Sequence, residues 1–379
     1  MRFIHTADLH LGKRLNDVPL IEDQVYILGE IRRIAREERA QAVIIAGDIY
    51  QSSSPQAEAM SAFNDFVTAL AEDGTAVLAI SGNHDSARRV SYLSALVRAR
   101  GVYVSEEFTG KLQKVELEDE HGRIVVSLLP FVKPVSVRRC FPDEEIETCQ
   151  DAVAAVLRHS PLDGGARNVL VCHQFVTGAQ ESGSEELYAG GLECVDGRLF
   201  DGFDYVAMGH IHRAQRVGRD TVRYAGSPLK YSFSEAAHKK SVTVVDMGEK
   251  GSVQIKTVPL TPLHELREVE GYMEELMAAP YSEDYVHITL RDELVPPDAR
   301  VTLSTVFPNM LRFGVKNSKT AEDEQEIVQQ DVETKSVEEL FCDFYALQNN
   351  GAQPAEEQLG LLRQILREEG GAEECSRSA

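Results

Sequence analysis

Asp8 and His10 stand two residues apart, Asp48 follows a glycine, Asn83 and His84 precede Asp85, His173 stands alone, and His210 and His212 are again two apart. The set mixes carboxylate, amide and imidazole and contains no thiolate. Such donors suit manganese, iron or zinc in a working site and disfavour a structural zinc site. Seven of these residues (Asp8, His10, Asp48, Asn83, His173, His210 and His212) are too many for one ion and about right for two. One carboxylate must then bridge, with paired ions ~3.5–4 Å apart. Asp8 and Asp48 would offset only part of the ionic charge, leaving roughly two positive charges to attract a phosphodiester. The expected chemistry is in-line attack on phosphorus by a water that loses its proton near neutral pH. His84, directly after a ligand, is the natural general acid for the departing alkoxide, with Asp85 orienting its ring; ligation by His84 itself is the lesser alternative.

These residues fall at the ends of apolar, strand-like runs: RFIHTAD, AVIIAGD at 42–48, AVLAISGNHD at 76–85, NVLVCHQF at 168–175 and YVAMGHIH at 205–212. In layered α/β folds, sites form at the carboxyl ends of strands, where loops converge beside a rigid sheet edge. A single histidine on an apolar run is more often a satisfied core residue. Five strand ends in order, each carrying a ligand type, are very unlikely to arise by chance. Gly47, Gly82 and Gly209 each immediately precede a candidate ligand, where the backbone must turn sharply or approach closely. Alternate residues in GHIH point oppositely only if the strand continues; in a loop both can face inward.

Further strand-like runs lie at 124–131 and 241–247, and helical patterns at 56–72, 88–99 and 147–159. A helix after residue 20 would place Ile21, Val25, Leu28, Ile31 and Ile34 on one face. The alternation implies layered α and β structure through about residue 260. A smaller unit follows, with a helix near 268–278 and strands YVHITL and MLRFGV. The acidic stretch 320–335 lacks apolar periodicity and reads as a linker. Beyond it, Ser336 and Glu339 have capping-box spacing before the stripe Leu340, Phe344 and Leu347. A second amphipathic segment carries Leu359, Leu362 and Leu366, and so apolar a tail is expected to dock on a partner protein rather than fold back.

The 379 residues carry a formal charge of −22, at first sight wrong for a protein that handles nucleic acid. Half of that deficit sits in residues 321–379, with 15 acidic and 4 basic side chains. Basic clusters remain elsewhere, among them Arg88–Arg89 with Arg98 and Arg100, although each taken singly reads best as solvated surface. The six cysteines are scattered without a CxxC pair, which argues for free thiols in a reducing compartment. No secretory signal and no bilayer-length apolar run is visible, so a cytoplasmic location without membrane association is expected.

The motifs MRFIHTADLHLGK, AGDIYQSSSP, SGNHDS, VCHQF, MGHIH and YAGSPLKYSFSEAAHKKS resemble those of the calcineurin-like metallophosphoesterases. Within that superfamily they are closest to the bacterial SbcCD-type branch of the double-strand-break repair nucleases. The resemblance runs in order from residue 1 to about 245, and ELFCDFY near 340 is similar to the family's C-terminal helix. It implies an α/β fold in which a β-sandwich is flanked by helices (residues 1–264). A small α/β capping domain (265–319) that helps choose DNA geometry, the linker (320–335) and a helical tail (336–379) would follow. It further implies one manganese held by Asp8, His10, Asp48 and His212, and a second by Asp48, Asn83, His173 and His210, with His84 assisting at the leaving group. The implied activity is ATP-dependent 3′→5′ exonuclease action on duplex DNA ends, with endonuclease cleavage of single strands and hairpins. The implied partners are an SbcC-type ATPase, gripped by the tail, and a second copy of the chain within a heterotetramer. Helix 56–72, with Met60, Phe63, Phe66 and Val67, would form that dimer surface or serve as core. Some relatives carry a second histidine three residues after the bridging aspartate, where this chain has Gln51.

Two other functions compete. A phosphoprotein phosphatase or cyclic-nucleotide phosphodiesterase would use the same metal core, but GDIYQ lacks the GD-x-V-D-R-G pattern, GNHD replaces GNHE, and the cap and tail would go unexplained. A metal-free docking scaffold would have lost several ligands, and this sequence keeps them all. YAGSPLKYS reads equally well as an ordinary strand and turn or as a wall of the substrate cleft.

Overall fold

The computed structural model describes residues 1–185 and 194–318, together with 341, 342, 345, 354–356 and 358–362. The expected linker, the Ser336 capping box and the stripe from Leu340 to Leu347 lie outside the described residues. Contacts divide the chain into one unit of Met1–Thr289 with Pro297–Gly314 and another of Leu290–Pro296 with Val315–Ala379. No helix among the described residues is long and apolar enough to cross a membrane.

Two six-stranded sheets build the first unit. One runs Val253–Pro259, Ser241–Met247, Arg2–Thr6, Ala42–Ala46, Ala76–Ile80 and Val102–Val104, its last four strands mutually parallel. The other runs Gln215–Val217, Arg219–Tyr224, Tyr205–Gly209, Arg167–His173, Gly122–Leu129 and Gln113–Asp119, with its middle four parallel. Period-two alternation explains how each sheet faces two ways. In Ala42–Ala46, Val43 and Ile45 join the cluster that includes Ile27, Ile31 and Phe66 of the covering helices, Ile21–Glu37 and Ala57–Glu72. Ala42, Ile44 and Ala46 face the layer between the sheets, with Val169, Val171 and Ala207 of the second sheet. On the far side of the second sheet, Leu170, Cys172, Val206 and Met208 pack on helix Cys149–Arg158. Thr148 caps that helix through a reciprocal box with Asp151. The layers are therefore helix, sheet, sheet, helix, the sandwich flanked by helices that the family resemblance implies.

Several boundaries move, each for a visible reason. The stripe on Ile21–Glu37 is rotated: Ile27 is buried and Val25 is 53% exposed, because the buried Gln24 turns inward to hold the loop after the first strand. The helix expected over 88–99 is broken into Ala87–Val90 and Ser94–Val97, with Leu93 between them in the left-handed region at φ 66°. The helix expected near 268–278 shrinks to Met273–Met277, since LREVEG alternates in burial and forms the strand Leu266–Gly271. That strand joins Tyr285–Leu290 and Met310–Val315 in a three-stranded sheet. Its Leu266 and Tyr285 belong to the same core cluster as the first helix.

Candidate metal centre

All the ligand-bearing strands end at one edge of the sandwich. Past those ends the first two loops stay zipped: Asp8 N donates to Gly47 O (3.0 Å), His10 N to Asp48 O (2.9 Å) and Leu11 N to Ile49 O (2.9 Å). Three of these strands, Arg2–Thr6, Ala42–Ala46 and Tyr205–Gly209, stop short of their expected ends because the next residues leave extended geometry. Asp8, His10, Asp48 and His210 have φ of 54°, 44°, 48° and 102°. Aspartate and histidine tolerate this region better than branched residues, and such strain clusters where side chains must be aimed. The strand Tyr205–Gly209 has ended before His210, so both imidazoles of GHIH turn inward.

The structure brings all seven candidate ligands together with His84. His10 Nε2 lies 3.1 Å from His212 Nε2 and 3.6 Å from Asp48 Oδ2. His173 Nε2 lies 3.3 Å from Asp48 Oδ2 and 3.0 Å from Asn83 Oδ1, and His210 Nδ1 also lies 3.0 Å from that amide oxygen. Donor atoms ~2.1 Å from a shared ion and about 90–109° apart would be separated by about 2.9–3.4 Å, a range that holds four of these five spacings, with His10 to Asp48 slightly wider at 3.6 Å. Two further observations fit a cation. Asp8 Oδ2 is a buried polar atom with no hydrogen-bond partner among the described residues. Asp8, His10 and His212 form one group able to hold an ion, and Asp8, Asp48 and His173 another.

Burial and mutual charge set the proton load. Burial pushes the Asp8 carboxyl up to about 6, with Asp48 adding to the effect and His173 and His212 opposing it. Burial would do the same to Asp48, but His173, His10 and His84 outweigh it and hold this carboxyl well below the usual carboxylate range. Against its own burial, His173 is pushed up to about 9 by Asp48 and Asp8. Burial beside His173 lowers His210 to about 3. A cluster that concentrates its negative charge on Asp48, between imidazoles, is suited to a shared cation.

Close backbone approach accounts for the glycines. A Cβ on Gly82 would fall 2.1 Å from Asp48 Oδ1, and one on Gly209 would fall 2.0 Å from Ala46 O.

His84 Nδ1 meets the Gln51 carbonyl at 3.1 Å, and its Nε2 sits 3.9 Å from Asp48 Oδ2. Asp85 does not orient this ring, contrary to expectation. Its carboxylate is drawn under the loop by the N–H groups of Ile49 (3.0 Å), Tyr50 (2.9 Å) and Gly82 (2.9 Å). Asp85 thus fixes the backbone around Asp48, while the Gln51 main chain orients His84.

Sequence reasoning missed the supporting residues. Buried Gln24 donates to His10 O (2.7 Å) and accepts from Gly12 N (2.9 Å), holding the DLHLG loop. Glu185 accepts from His212 N (2.9 Å) and Ser182 N (2.8 Å). A glutamine inside an amphipathic helix carries no periodic signal of this kind; only its place on the buried stripe hinted at it.

The sandwich with acids and imidazoles at one strand edge defines a calcineurin-like phosphoesterase, and the model of that family matches residues 1–214. The model described as Type 5 capsule protein repressor C-terminal domain matches residues 262–349. The SbcD subunit of the nuclease SbcCD from Staphylococcus epidermidis is 33% identical over 322 residues, covering 83% of this chain and 85% of that one. Its counterpart from Staphylococcus saprophyticus is 33% identical over 319 residues, covering 82% and 84%. A dimetal phosphatase from Danio rerio aligns at TM-score 0.42 and 13% identity, covering 69% of this chain and 98% of that one. The chain belongs to the SbcD family of nuclease subunits, metal-dependent phosphodiester hydrolases with a divalent-metal site.

Proposed function

We propose that this chain is the nuclease subunit of an SbcCD-type complex, cleaving DNA at a centre of two divalent ions, manganese in both positions. The observation that carries the proposal is the meeting of seven donor side chains from five strand ends at spacings suited to shared ions. Asp8, His10, Asp48 and His212 would hold one ion, and Asp48, Asn83, His173 and His210 the other, with Asp48 between them. When bound, the ions supply Lewis acidity to the phosphate and a hydroxide nucleophile at neutral pH.

The chain's own groups do the rest. With both ring nitrogens protonated, His84 donates Nδ1–H to the Gln51 carbonyl and presents Nε2–H on the cluster side, from which the proton can pass to the departing alkoxide and leave the neutral Nδ1–H imidazole. General acid help of this kind contributes about 10²–10⁴-fold. Asp85 holds the Asp48 loop from below, so the bridging carboxylate cannot drift from the histidines.

Residues 1–264 form the nuclease domain in this proposal, 265–319 the capping domain that helps choose DNA geometry, 320–335 the linker, and 336–379 the tail that docks an SbcC-type ATPase. The substrates are duplex ends, taken 3′→5′ with ATP hydrolysis by that partner, together with single strands and hairpins. The complex carries two copies of this chain and works in the cytoplasm.

The test incubates the full chain in manganese with labelled linear duplex and hairpin DNA, with and without an SbcC-type ATPase and ATP. Asp48→Asn and His84→Ala serve as controls. Cleavage lost in both variants is expected. DNA left intact by the wild type under both conditions, alongside hydrolysis of a phosphoprotein or a cyclic nucleotide, would overturn the nuclease reading.

A further inference from the structure

The motif YAGSPLKYSFSEAAHKKS lies beyond the last candidate ligand, and two of its charged residues, Glu235 and Lys240, are buried. Glu235 ends the turn Phe233–Glu235 and is 0% exposed, while Lys240 is 9% exposed. Lys240 Nζ donates to Glu235 Oε2, to Ser227 Oγ (2.7 Å) and to the His212 carbonyl (2.9 Å). Glu235 Oε1 lies 3.1 Å from His212 Nδ1 and accepts from Ser184 Oγ at 2.6 Å, and Ser184 Oγ in turn lies 2.9 Å from that Nδ1, so the serine hydroxyl bridges the ring to the same carboxylate. Ser227 N donates to the same His212 carbonyl at 3.2 Å. Both the ring and the backbone of His212 are therefore held by this motif.

We propose that Glu235 is a positioning residue of the metal centre: it takes the Nδ1 proton of His212 as a hydrogen bond, so the Nε2 lone pair faces the ion, and Lys240 balances its charge. The inference rests on the metal-centre reading above. Three physical points support it. A buried ion pair is rarely retained for stability, because apolar residues of like volume serve as well or better. A carboxylate behind a ligating imidazole fixes its tautomer and raises its basicity. His212 also differs from its neighbours among the described residues. Behind His173 stands the Ala46 carbonyl (2.8 Å), and behind His84 the Gln51 carbonyl (3.1 Å), whereas His212 faces a carboxylate that is not a candidate ligand. The motif thus stands behind His212 at the back of the centre.

Two measurements test this on the full-length chain. With ¹⁵N-labelled histidine in the metal-free wild type, His212 should carry its proton on Nδ1; a proton on Nε2 alone overturns the proposal without any variant. Manganese is then titrated calorimetrically into wild type, Glu235→Gln and the pair Glu235→Gln with Lys240→Met, the last removing both buried charges so that neither is left unpaired. Melting in chelator confirms that each is folded. One of the two binding steps should weaken by about 10–100-fold and the other stay within about twofold. Equal affinities in a folded variant, or equal loss at both steps, would overturn the positioning role while leaving the metal centre intact. A wild type that binds no manganese would instead sink the metal-centre reading.

Discussion

Replacing Gly82 by alanine adds one methyl group at the most crowded point of the centre. The new Cβ would sit 2.1 Å from Asp48 Oδ1, 2.4 Å from Asp48 N and 2.7 Å from Asp48 Cγ. Carbon and oxygen in van der Waals contact need about 3.2 Å, so something must retreat by roughly 1 Å. If the carboxylate swings away, it gives up the N–H of His84 (3.0 Å) and the spacing of 3.3 Å to His173. If the loop retreats, Gly82 N leaves Asp85 (2.9 Å) and Asn83 moves off both its histidines. A functional constellation tolerates about 0.5 Å, and a 1 Å misplacement costs about 10²-fold in rate. Overpacking adds a stability cost of about 1–3 kcal/mol, a few degrees of melting temperature for a domain of this size. Manganese-dependent DNA cleavage should fall about 100-fold in a protein that still melts cooperatively. Gly29→Ala is the control: nothing lies within 4 Å of its Cβ position in the middle of a helix, so activity should hold and stability rise by about 1 kcal/mol. Cleavage by Gly82→Ala within about threefold of wild type, with an unchanged melt, would refute the argument that Gly82 exists to admit the Asp48 carboxylate.

Three further outcomes follow from the same geometry. Because the main-chain carbonyl of Gln51 orients His84 and the buried side-chain Oε1 has no partner, Gln51→Ala should keep cleavage within about threefold, against a loss of about 10²-fold or more for His84→Ala in the same assay. His5 is lowered to about 3 by burial from an ordinary value of 6.5. The unfolded chain therefore binds a proton that the folded chain refuses between those values, so stability is whole above pH 6.5 and falls as pH drops towards 3, by up to about 1.4 kcal/mol per unit. Denaturant titrations across that window should show a shallower fall for His5→Gln, and identical slopes would sink the assignment. Manganese at about 100 times its dissociation constant should stabilise the native state by about 2.7 kcal/mol and raise the melting temperature by about 5 °C; an unchanged melt would speak against ion binding to the folded state.

What the sequence makes legible here follows its periodicities. Short apolar runs such as AVIIA and VLVC, buried on both faces, announce strands, and the candidate ligands beyond them announce the edge that matters. Less legible were features that depend on distant partners. The hairpin of Gln113–Asp119 with Gly122–Leu129 carries charges on its open face, which masks the strand signal of its first half. The carboxylate of Asp85 stands beside His84 in sequence, yet three main-chain N–H groups from two loops claim it, and no spacing rule foresees that competition. Glu235 and Lys240 stand five residues apart with no motif to pair them, and only the fold buries them against each other.

The division of ligands between the sheets gives the centre a structural consequence. Asp8, His10, Asp48 and Asn83 follow strands of the first sheet, while His173 ends a strand of the second and His210 and His212 follow another. Elsewhere the sheets meet through an apolar layer of Ile44, Leu78, Val169, Val171 and Ala207, which is strong but non-directional. At the ligand edge the contact is polar and directional, with Asp48 and Asn83 each facing His173 across the gap. Charged groups brought together there without a cation repel one another or must take up protons, as the raised Asp8 carboxyl indicates. A bound ion replaces that opposition with bonds to both sheets. Ions held there would therefore also fasten the open end of the sandwich, so a melting shift on adding manganese would report on the joint between the sheets as well as on occupancy.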